Sequence, residues 1–362
     1  MGQAWFSLSK ALHLQSPSLR QTFGLRKAQP TVIAIGGNSF KGLERATAKN
    51  IIAMIKAGCS PIITHGNGPQ VGELLIKHPD KTLAQCVAMT QEQMGAALKT
   101  QLETLASREN IALEVAVIPT RVIVDKNDPA FKNPTKYIGP RYTLDQLSQM
   151  GKLSKTPQEI GRFTLRKDDG QEWAIKEVAG EKGQYRRVVA SPKPLAIHPE
   201  DLSRIKDAMA QAKLVIGVGG GGVAVSQNNQ LEEAVIDKDL ASAVLSWTLK
   251  ARDFIISTGV PQVCLDWGTA APQNITYFQT RQAQRKLFGG QFPAGSMGEK
   301  IEATIAALRV GVNTVLITHP SSAWVKNEGT IFTRGIDLTG RAFNFARRLG
   351  LVPNEIQRWL VT

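Results

Sequence analysis

The sequence predicts an α/β protein with a doubly wound, mainly parallel open sheet and helices on both faces. Short runs rich in Val, Ile and Leu recur along the chain, as they do in buried parallel strands. Helical stretches separate these runs, and this alternation gives the β-α-β order of a doubly wound sheet. Several runs stop at glycine-rich turns, which is where an α/β protein commonly holds a phosphate group.

Strands and helices are predicted in alternation. The strands are expected at 31–35, 61–64, 113–118, 214–218, 253–257 and 314–318. The helices are expected near 45–57, 90–107, 201–212, 238–250 and 298–309. In the last of these, Ile301, Ile305 and Leu308 share one face, which indicates a helix that packs against the sheet.

Residues 125–195 interrupt this alternation. They contain prolines at 129, 134, 140, 157, 192 and 194, and they show little helical periodicity. A structureless loop of this length is uncommon in a compact domain. The segment is therefore predicted to be a protruding, small, β-rich subdomain. Because proline-bounded turns connect it, we expect it to act as a partly mobile lid.

The two ends of the chain differ from its middle. Residues 1–30 hold four basic residues and no acidic one, since the first carboxylate is Glu44. This composition fits a transit peptide and fits a disordered leader equally well. A cytoplasmic protein is expected, or one of a mitochondrial-type matrix if the leader is a transit peptide. The main domain is expected at 31–335, followed by a C-terminal extension at 336–362.

Composition narrows the function classes. The formal net charge is +14, but the basic residues are spread along the chain without the clustered stripe of a nucleic-acid-binding surface. A basic surface that suits small anionic substrates is the simpler interpretation. No apolar run approaches the ~20 residues of a membrane span. The cysteines are Cys59, Cys86 and Cys264; they lack metal-ligand spacing, so no metal site within the protein is expected.

The glycine turns indicate phosphate chemistry. They follow predicted strands at Gly36-Gly37-Asn38, Gly66-Asn67-Gly68 and Gly219 to Gly222. Glycine lets the backbone approach an anion closely, and free amide groups can then meet its charge. The last turn has a second explanation, because close packing of strand and helix would also require glycine. No Walker-type motif is present, so a nucleotide site here would not be a P-loop.

Three lysines are candidates for the positive charge that phosphoryl transfer requires. Lys136 follows a proline-stiffened stretch, Lys238 lies between Asp237 and Asp239, and Lys300 begins a predicted helix. Phosphoryl transfer depends mainly on positioning and on fixed positive charge around an anionic transition state. Sequence spacing alone does not show that the three lysines converge, and a solvated surface residue is the simpler interpretation of any one of them.

At these residues the chain resembles the carbamate kinases of the amino-acid kinase superfamily. The Pro134-Thr135-Lys136 and Ile236-Asp237-Lys238-Asp239 elements separate this family from the acetylglutamate, aspartate and uridylate kinases. The resemblance spans roughly residues 31–333 and rests on the stretches 34–38, 64–72, 86–91, 131–136, 187–194, 219–222, 234–239, 258–260 and 295–303.

The resemblance implies the amino-acid kinase fold and assigns a role to each motif. Lys136 and Lys238 would flank the transferred phosphoryl group, Lys300 would neutralise the nucleotide phosphates, and Asp239 would orient the lysines. The substrates and the phosphoryl group would contact Gly36, Gly37, Asn38, Gly66, Asn67, Gly220 and Gly221. The nucleotide would lie against Asp237, Thr258, Gly259, Val260, Ser296 and Met297.

The resemblance also implies an activity. The expected reaction is reversible phosphoryl transfer between ATP and carbamate, giving ADP and carbamoyl phosphate, with Mg²⁺ accompanying the nucleotide. Carbamate is already an anion, so His65 is expected to position groups by hydrogen bonding rather than to act as a base. A homodimer is expected, in line with the family and with the commonest oligomer type.

The chain departs from the family pattern at several points. The stretch between Asn38 and His65 is shorter than usual, Gln91 to Gly95 carry larger polar residues, and the chain continues after Gly335. Two alternatives therefore stay open. The protein could phosphorylate another small carboxylate or phosphate acceptor, or it could be a non-catalytic subunit that binds carbamoyl phosphate.

Overall fold

The computed structural model describes residues 29–36, 44–155, 162–178, 180–211, 213–292 and 296–334. Most of the predicted leader and the predicted C-terminal extension at 336–362 lie outside the described residues. So do Gly37 and Asn38 of the first glycine turn.

The strands, in chain order within the described residues, are β1 Thr31–Ile35, β2 Pro61–His65, β3 Val115–Ile118, β4 Arg121–Val124, β5 Lys136–Tyr142, β6 Gly151–Lys155, β7 Arg162–Lys167, β8 Glu172–Glu177, β9 Tyr185–Val189, β10 Pro194–Ile197, β11 Leu214–Gly217, β12 Val223–Val225, β13 Asp253–Ser257, β14 Val263–Leu265, β15 Gln273–Ile275, β16 Tyr277–Gln279, β17 Thr314–Thr318 and β18 Thr330–Thr333. The α-helices are α1 Glu44–Lys56, α2 Gly68–Lys77, α3 Leu83–Arg108, α4 Leu144–Met150, α5 Pro199–Ala210, α6 Lys238–Thr248, α7 Thr280–Phe288 and α8 Met297–Val310.

The central sheet has the strand order β16-β18-β17-β13-β1-β2-β11-β3. The run from β17 to β3 is parallel, and β18 pairs antiparallel with β17 at one side. β1 lies in the middle, with β13 and β2 as its neighbours, and the chain crosses the sheet in both directions from it. The predicted doubly wound, mainly parallel sheet is confirmed.

Helices cover both faces of this sheet because β1 and its neighbours are apolar on both sides. Val32 and Ala34 belong to a core that also holds residues of α5, α6 and α8. Ile33 and Ile35 face the other way, into a core that holds residues of α1 and α3. This alternation follows from the two-residue period of a strand.

The segment predicted as an excursion contains a five-stranded antiparallel sheet with the order β5-β9-β8-β7-β6. Two apolar clusters support it. Ile138 and Val189, at the root, pack with residues of α2 and α3. Leu147, Leu165, Trp173, Ile175 and Tyr185 form a separate cluster farther out. The root of the excursion is therefore packed into the main domain, whereas its outer part has a small core of its own.

Some elements differ from the sequence expectation. The helix expected near 90–107 begins already at Leu83, because Thr82 and Gln85 form a capping box there. The helix at Gly68–Lys77 was not predicted, because Gly68 and Gly72 lower its helix propensity. Pro69 in its first turn is the start signal that compensates. Within the described ranges, no helix combines the length and apolarity that a membrane crossing requires.

Candidate functional site

The glycine turns meet at the carboxyl edge of the parallel sheet. β1, β2, β11 and β13 run in the same direction, so their carboxyl ends lie side by side. The amide of Gly36 donates to the carbonyl of Ser257 at 3.1 Å, and the amide of Gly66 donates to the carbonyl of Ile35 at 2.9 Å. Ligands of open α/β sheets characteristically bind at this edge.

Asn67 links two of the turns. Its side chain is only 2% exposed, and its Nδ2 donates to Oγ1 of Thr90 at 2.8 Å. A Cβ at Gly220 would lie 2.0 Å from that Nδ2, and a Cβ at Gly219 would lie 2.5 Å from Nε2 of His65. Packing against β2 and its turn therefore requires these glycines, whether or not they also contact a ligand.

Gly221 is held from both sides. Its amide donates to the carbonyl of Val218 at 3.1 Å, and a Cβ on it would lie 2.4 Å from the carbonyl oxygen of Ile236. Because this amide is already engaged, a phosphate contact by Gly221 would need a different hydrogen-bonding arrangement. The phosphate-binding roles of Gly220 and Gly221 stay predictions.

Asp237 begins helix α6 and joins it to the excursion. One oxygen of its carboxylate accepts from the amides of Asp239 and Leu240 at 2.9 and 3.2 Å, which is an N-cap interaction. The other oxygen accepts a hydrogen bond from the ammonium of Lys136. The Asp237 carboxylate thus connects Lys136, on strand β5, to the start of helix α6.

Asp239 forms ion pairs with the other two lysines. One carboxylate oxygen pairs with Lys238, and the second lies 3.2 Å from Nζ of Lys300, at the start of helix α8. Asp239 is 1% exposed. The lysines predicted from three distant segments therefore converge on two adjacent carboxylates, and the group of five charges carries a net charge of +1.

The charges in this cluster shift each other's pKa values. Burial raises the pKa of Asp237, but Lys136, Lys238 and Lys300 outweigh it and hold that pKa well below its ordinary value. Burial lowers the pKa of Lys136 and of Lys300, yet the nearby carboxylates prevail and leave both pKa values raised.

Lys238 behaves differently from the other two lysines. Burial outweighs the attraction of Asp239, so the pKa of Lys238 is lowered. A buried ammonium in this state gains from an additional anion nearby. The environment of Lys238 is therefore suited to a negatively charged ligand.

Lys136 is positioned by a contact between two glycines. A Cβ at Gly72 of α2 would lie 2.0 Å from Cα of Gly139 on β5, so the helix and the strand approach backbone to backbone. Gly139 also has a left-handed φ of 67°. Since α2 directly follows the Gly66–Asn67 turn, the contact between Gly72 and Gly139 fixes the position of Lys136 relative to that turn.

The predicted nucleotide-binding residues lie along the same edge. The amide of Thr258 donates to the carbonyl of Thr318 at 2.8 Å, which ties the end of β13 to the end of β17. Gly259 is exposed and has open space where a side chain would be. Ser296 is the N-cap of helix α8 and Met297 its first residue, four and three residues before Lys300. No contact with a ligand tests these assignments, and they stay predictions.

The described donors at this edge do not form a chelating metal site. Both oxygens of Asp237 and both of Asp239 are already hydrogen-bonded or ion-paired. In the part of the chain that the structure describes, no three His, Cys, Asp or Glu side chains come together as metal ligands. A magnesium ion would fit here as the companion of nucleotide phosphates, which is how proteins commonly bind it.

His65 ends strand β2 and is completely buried. Its Nδ1 lies 3.3 Å from the carbonyl oxygen of Gly66. Burial lowers its pKa to about 4, with smaller opposing contributions from backbone hydrogen bonds. A neutral, weakly basic imidazole locked among turns fits a positioning role better than that of a general base.

Sequence reasoning missed several buried polar residues behind the turns. Thr64 and Ser242 share a hydrogen bond of 2.6 Å between β2 and α6. The Gln91 amide binds both backbone groups of Thr120, at 3.0 and 3.1 Å. Thr120 follows the carboxyl end of β3, and a polar residue at such a strand end is the signal that could have identified it.

The comparisons with known proteins place this fold and site in the class of kinases, which are phosphotransferases. The sequence model of the Amino acid kinase family matches residues 29–319. The chain belongs to the amino acid kinase family.

Within this family, the chain is similar to carbamate kinases. Carbamate kinase 2 of Staphylococcus aureus (strain bovine RF122 / ET3-1) is 36% identical, over 83% of this chain and 97% of the relative. The carbamate kinase-like protein YahI of Escherichia coli (strain K12) is also 36% identical, over 80% and 93% of the two chains. The structure of carbamate kinase from Giardia lamblia bound to citric acid is 29% identical, with a TM-score of 0.72 over 85% of this chain and 99% of that one. The resemblance to carbamate kinases is confirmed.

Proposed function

We propose that the protein is a carbamate kinase that transfers a phosphoryl group reversibly between ATP and carbamate, giving ADP and carbamoyl phosphate. The convergence of Lys136, Lys238 and Lys300 on Asp237 and Asp239 carries this proposal. The identity to carbamate kinases over most of the chain supports it.

The charge cluster suits this chemistry. A phosphoryl group in transfer carries negative charge on three oxygens, and fixed cations stabilise it more than they stabilise the ground state. Lys136 and Lys238 approach from different elements and would flank the transferred group. Lys300 would neutralise the nucleotide phosphates, while the two carboxylates hold the lysines in place.

The acceptor needs little activation. Carbamate is an anion whose oxygen can attack phosphorus without losing a proton, so the site requires no general base. This agrees with the buried His65, whose lowered pKa of about 4 makes it a poor base. The Gly36 and Gly66–Asn67 turns at the same edge would orient the carbamate.

The nucleotide would lie on the side of β13 and α8. Thr258, Gly259 and Val260 follow β13, and Ser296 and Met297 lead into Lys300, so they would border ADP. Mg²⁺ would arrive on the nucleotide phosphates and neutralise part of their charge.

We further propose that the excursion at about 125–195 closes over the site as a lid and excludes water, which would otherwise hydrolyse carbamoyl phosphate. The two apolar clusters suggest where movement would occur. The root, with Lys136, would stay on α2, and the outer part around Leu165 and Trp173 would move.

We also propose a cytoplasmic homodimer with one site in each subunit. Symmetric pairs are the commonest assembly of such enzymes. Sedimentation at micromolar concentration would test the dimer, and a stable monomer would refute it.

A coupled assay tests the main proposal. The full chain is incubated with carbamoyl phosphate and Mg-ADP, and ATP formation is followed by a linked enzyme. Turnover well above background is expected, and folded protein without turnover would refute the proposal. A panel of small carboxylate and phosphate acceptors, run with Mg-ATP, identifies a different kinase if another acceptor exceeds carbamate. Tight binding of carbamoyl phosphate without turnover would instead indicate a binding subunit.

A further inference from the structure

Val218, directly after β11, has a backbone conformation that its side chain disfavours. Its φ and ψ are 52° and 34°, in the left-handed region, and it is fully buried. A β-branched residue in this region is a true outlier, because its Cβ substituents crowd the neighbouring backbone. The surrounding structure must therefore hold Val218 in place.

Thr120 supplies that hold. Its hydroxyl oxygen accepts from the amide of Val218 at 3.0 Å and donates to the carbonyl of Ile118 at 2.7 Å. The Gln91 side chain in turn fixes the backbone of Thr120 through both its amide and its carbonyl. Thr120 and Gln91 are 1% and 2% exposed, so these bonds are shielded from water. We refer to Gln91, Thr120 and Val218 as the clamp.

The clamp determines where the next residues lie. Val218 directly precedes the Gly219–Gly221 turn. A Cβ on Gly220 would collide with Asn67, and a Cβ on Gly221 would collide with Ile236. Ile236 immediately precedes Asp237, which caps α6 and pairs with Lys136. If the backbone of Val218 changed its conformation, both the turn at Asn67 and the start of α6 at Asp237 would therefore shift.

We propose that Thr120 is a positioning residue, which holds Val218 in its strained conformation so that the glycine turn seats Asn67 and Asp237 correctly for phosphoryl transfer. This proposal rests on the proposed carbamate kinase activity. Thr120 acts through the turn rather than on the substrate, so its loss should affect the chemical step more than nucleotide binding.

The test combines substitutions at both ends of the hydrogen bond. Thr120→Val keeps the shape but removes the acceptor, and Thr120→Ser keeps the hydroxyl as the matched control. Val218→Gly removes the steric strain, because glycine has no Cβ to clash in this conformation; the loss of a buried side chain in this variant is common to both arms of the cycle. The double variant Thr120→Val/Val218→Gly completes the cycle. Each protein is assayed with carbamoyl phosphate and Mg-ADP, and its thermal unfolding is measured.

Thr120→Val is expected to lower kcat about 10- to 100-fold per folded molecule, the range that small misplacements of reacting groups produce. Most of the predicted nucleotide contacts follow β13 or begin α8, and β1 and β2 separate β13 from β11, so KM for ADP should change less than about threefold. Thr120→Ser keeps the hydroxyl and should retain most of the activity. In the Val218→Gly background, the loss caused by Thr120→Val should shrink at least about fivefold.

Two results would overturn the proposal. One is a Thr120→Val protein that unfolds at a lower temperature but keeps its kcat, which would make Thr120 purely structural. The other is an equal loss of kcat in both backgrounds. If Thr120→Val does not fold, Gln91→Met replaces it in the same cycle. Gln91→Met removes both hydrogen bonds from the Gln91 side chain to the backbone of Thr120, and the same two results would overturn the proposal.

The unfolding data separate this proposal from the proposed function. A wild-type protein without turnover refutes the carbamate kinase activity and, with it, the catalytic part of the Thr120 role. The hold on Val218 is then decided by the unfolding temperatures alone. Non-additive effects of the two substitutions support the hold, and additive effects overturn it.

Discussion

Aspartates are buried at both edges of the central sheet, and their pKa values move in opposite directions. At the carboxyl edge, burial raises the pKa of Asp237, but three lysines outweigh it and lower that pKa. At the amino edge, Asp253 begins β13 with 1% exposure, and burial raises its pKa to about 8 despite the opposing charge of Arg252.

The difference shows that burial alone does not decide the charge of a carboxyl group. What decides it is the number of cations that the fold brings within reach. At the carboxyl edge, α6 and α8 begin with lysines beside Asp237 and Asp239, and the strand β5 adds Lys136. The carboxyl edge thus stabilises charged carboxylates, whereas the amino edge favours a neutral carboxyl group.

The largest effect is expected from removing a lysine of the carboxyl edge. Lys238→Ala should lower kcat about 10³-fold or more, because it withdraws a preorganised charge from the transition state. The assay is ATP formation from carbamoyl phosphate and Mg-ADP. Lys126→Ala, at an exposed lysine, serves as the control and should keep full activity. A comparable loss in both variants, or in neither, would contradict the role of Lys238.

A smaller but still large effect is expected at Lys136, whose side chain is 31% exposed. Lys136→Ala should lower kcat about 10²-fold, because one flanking charge is lost and Asp237 loses a partner. Lys132→Ala, four residues earlier in the same segment and exposed, is the matched control. If Lys136→Ala were fully active, the lysine of the excursion would have no part in the mechanism.

The seating of Lys136 can be disturbed without touching any charge. Gly72→Ala places a Cβ 2.0 Å from Cα of Gly139, so α2 and β5 must separate. We expect an activity loss of about tenfold or more, since small displacements of reacting groups are costly. In the same helix, a Cβ at Gly68 would lie 3.4 Å from the carbonyl of Tyr137, so Gly68→Ala should cost much less. Equal activity of the two variants would argue against this seating.

Much of the fold could be predicted because its strands are short apolar runs with clear ends. The predicted strands 31–35, 253–257 and 314–318 coincide with β1, β13 and β17. The strands of the excursion could not be placed, because half-buried residues such as those of β7 carry no continuous apolar signal. The minor strands β14 to β16 span three residues each, which is too short for periodicity to register.

The site was predictable to the extent that its residues sit in glycine turns or beside charged neighbours. Lys136, Lys238 and Lys300 could be named, but their convergence depends on β5 and the start of α8 both coming to the start of α6 in space. Gln91 ends one of the matching stretches, but the sequence gives neither Gln91 nor Thr120 a role, because their hydrogen bonds join residues 29 positions apart. Val218 appears in the sequence as an ordinary strand residue, because its left-handed backbone is imposed by tertiary contacts.

The smallest expected effect concerns Asp253 at the amino edge, and it is measured as a change in the free energy of unfolding. A folded-state pKa of about 8 for Asp253, against an ordinary 3.8, means that its stabilising contribution is present at low pH and is lost as the pH rises toward 8. His65 acts in the opposite sense. Its folded-state pKa of about 4, against 6.5, gives stability that is present above pH 6.5 and lost as the pH falls toward 4.

The two groups offset each other below pH 6.5, so Asp253 should dominate between pH 6.5 and pH 8. At about 1.4 kcal/mol per pH unit, the free energy of unfolding should fall by up to about 2 kcal/mol across this interval. Urea unfolding at several pH values measures the fall. Asp253→Asn, which keeps the carboxyl group's shape without its charge, should remove most of it, whereas the exposed control Asp168→Asn should leave it unchanged. If the Asp253→Asn protein kept the wild-type slope, the carboxyl group at the amino edge would be charged at neutral pH, and the contrast between the two edges would fail.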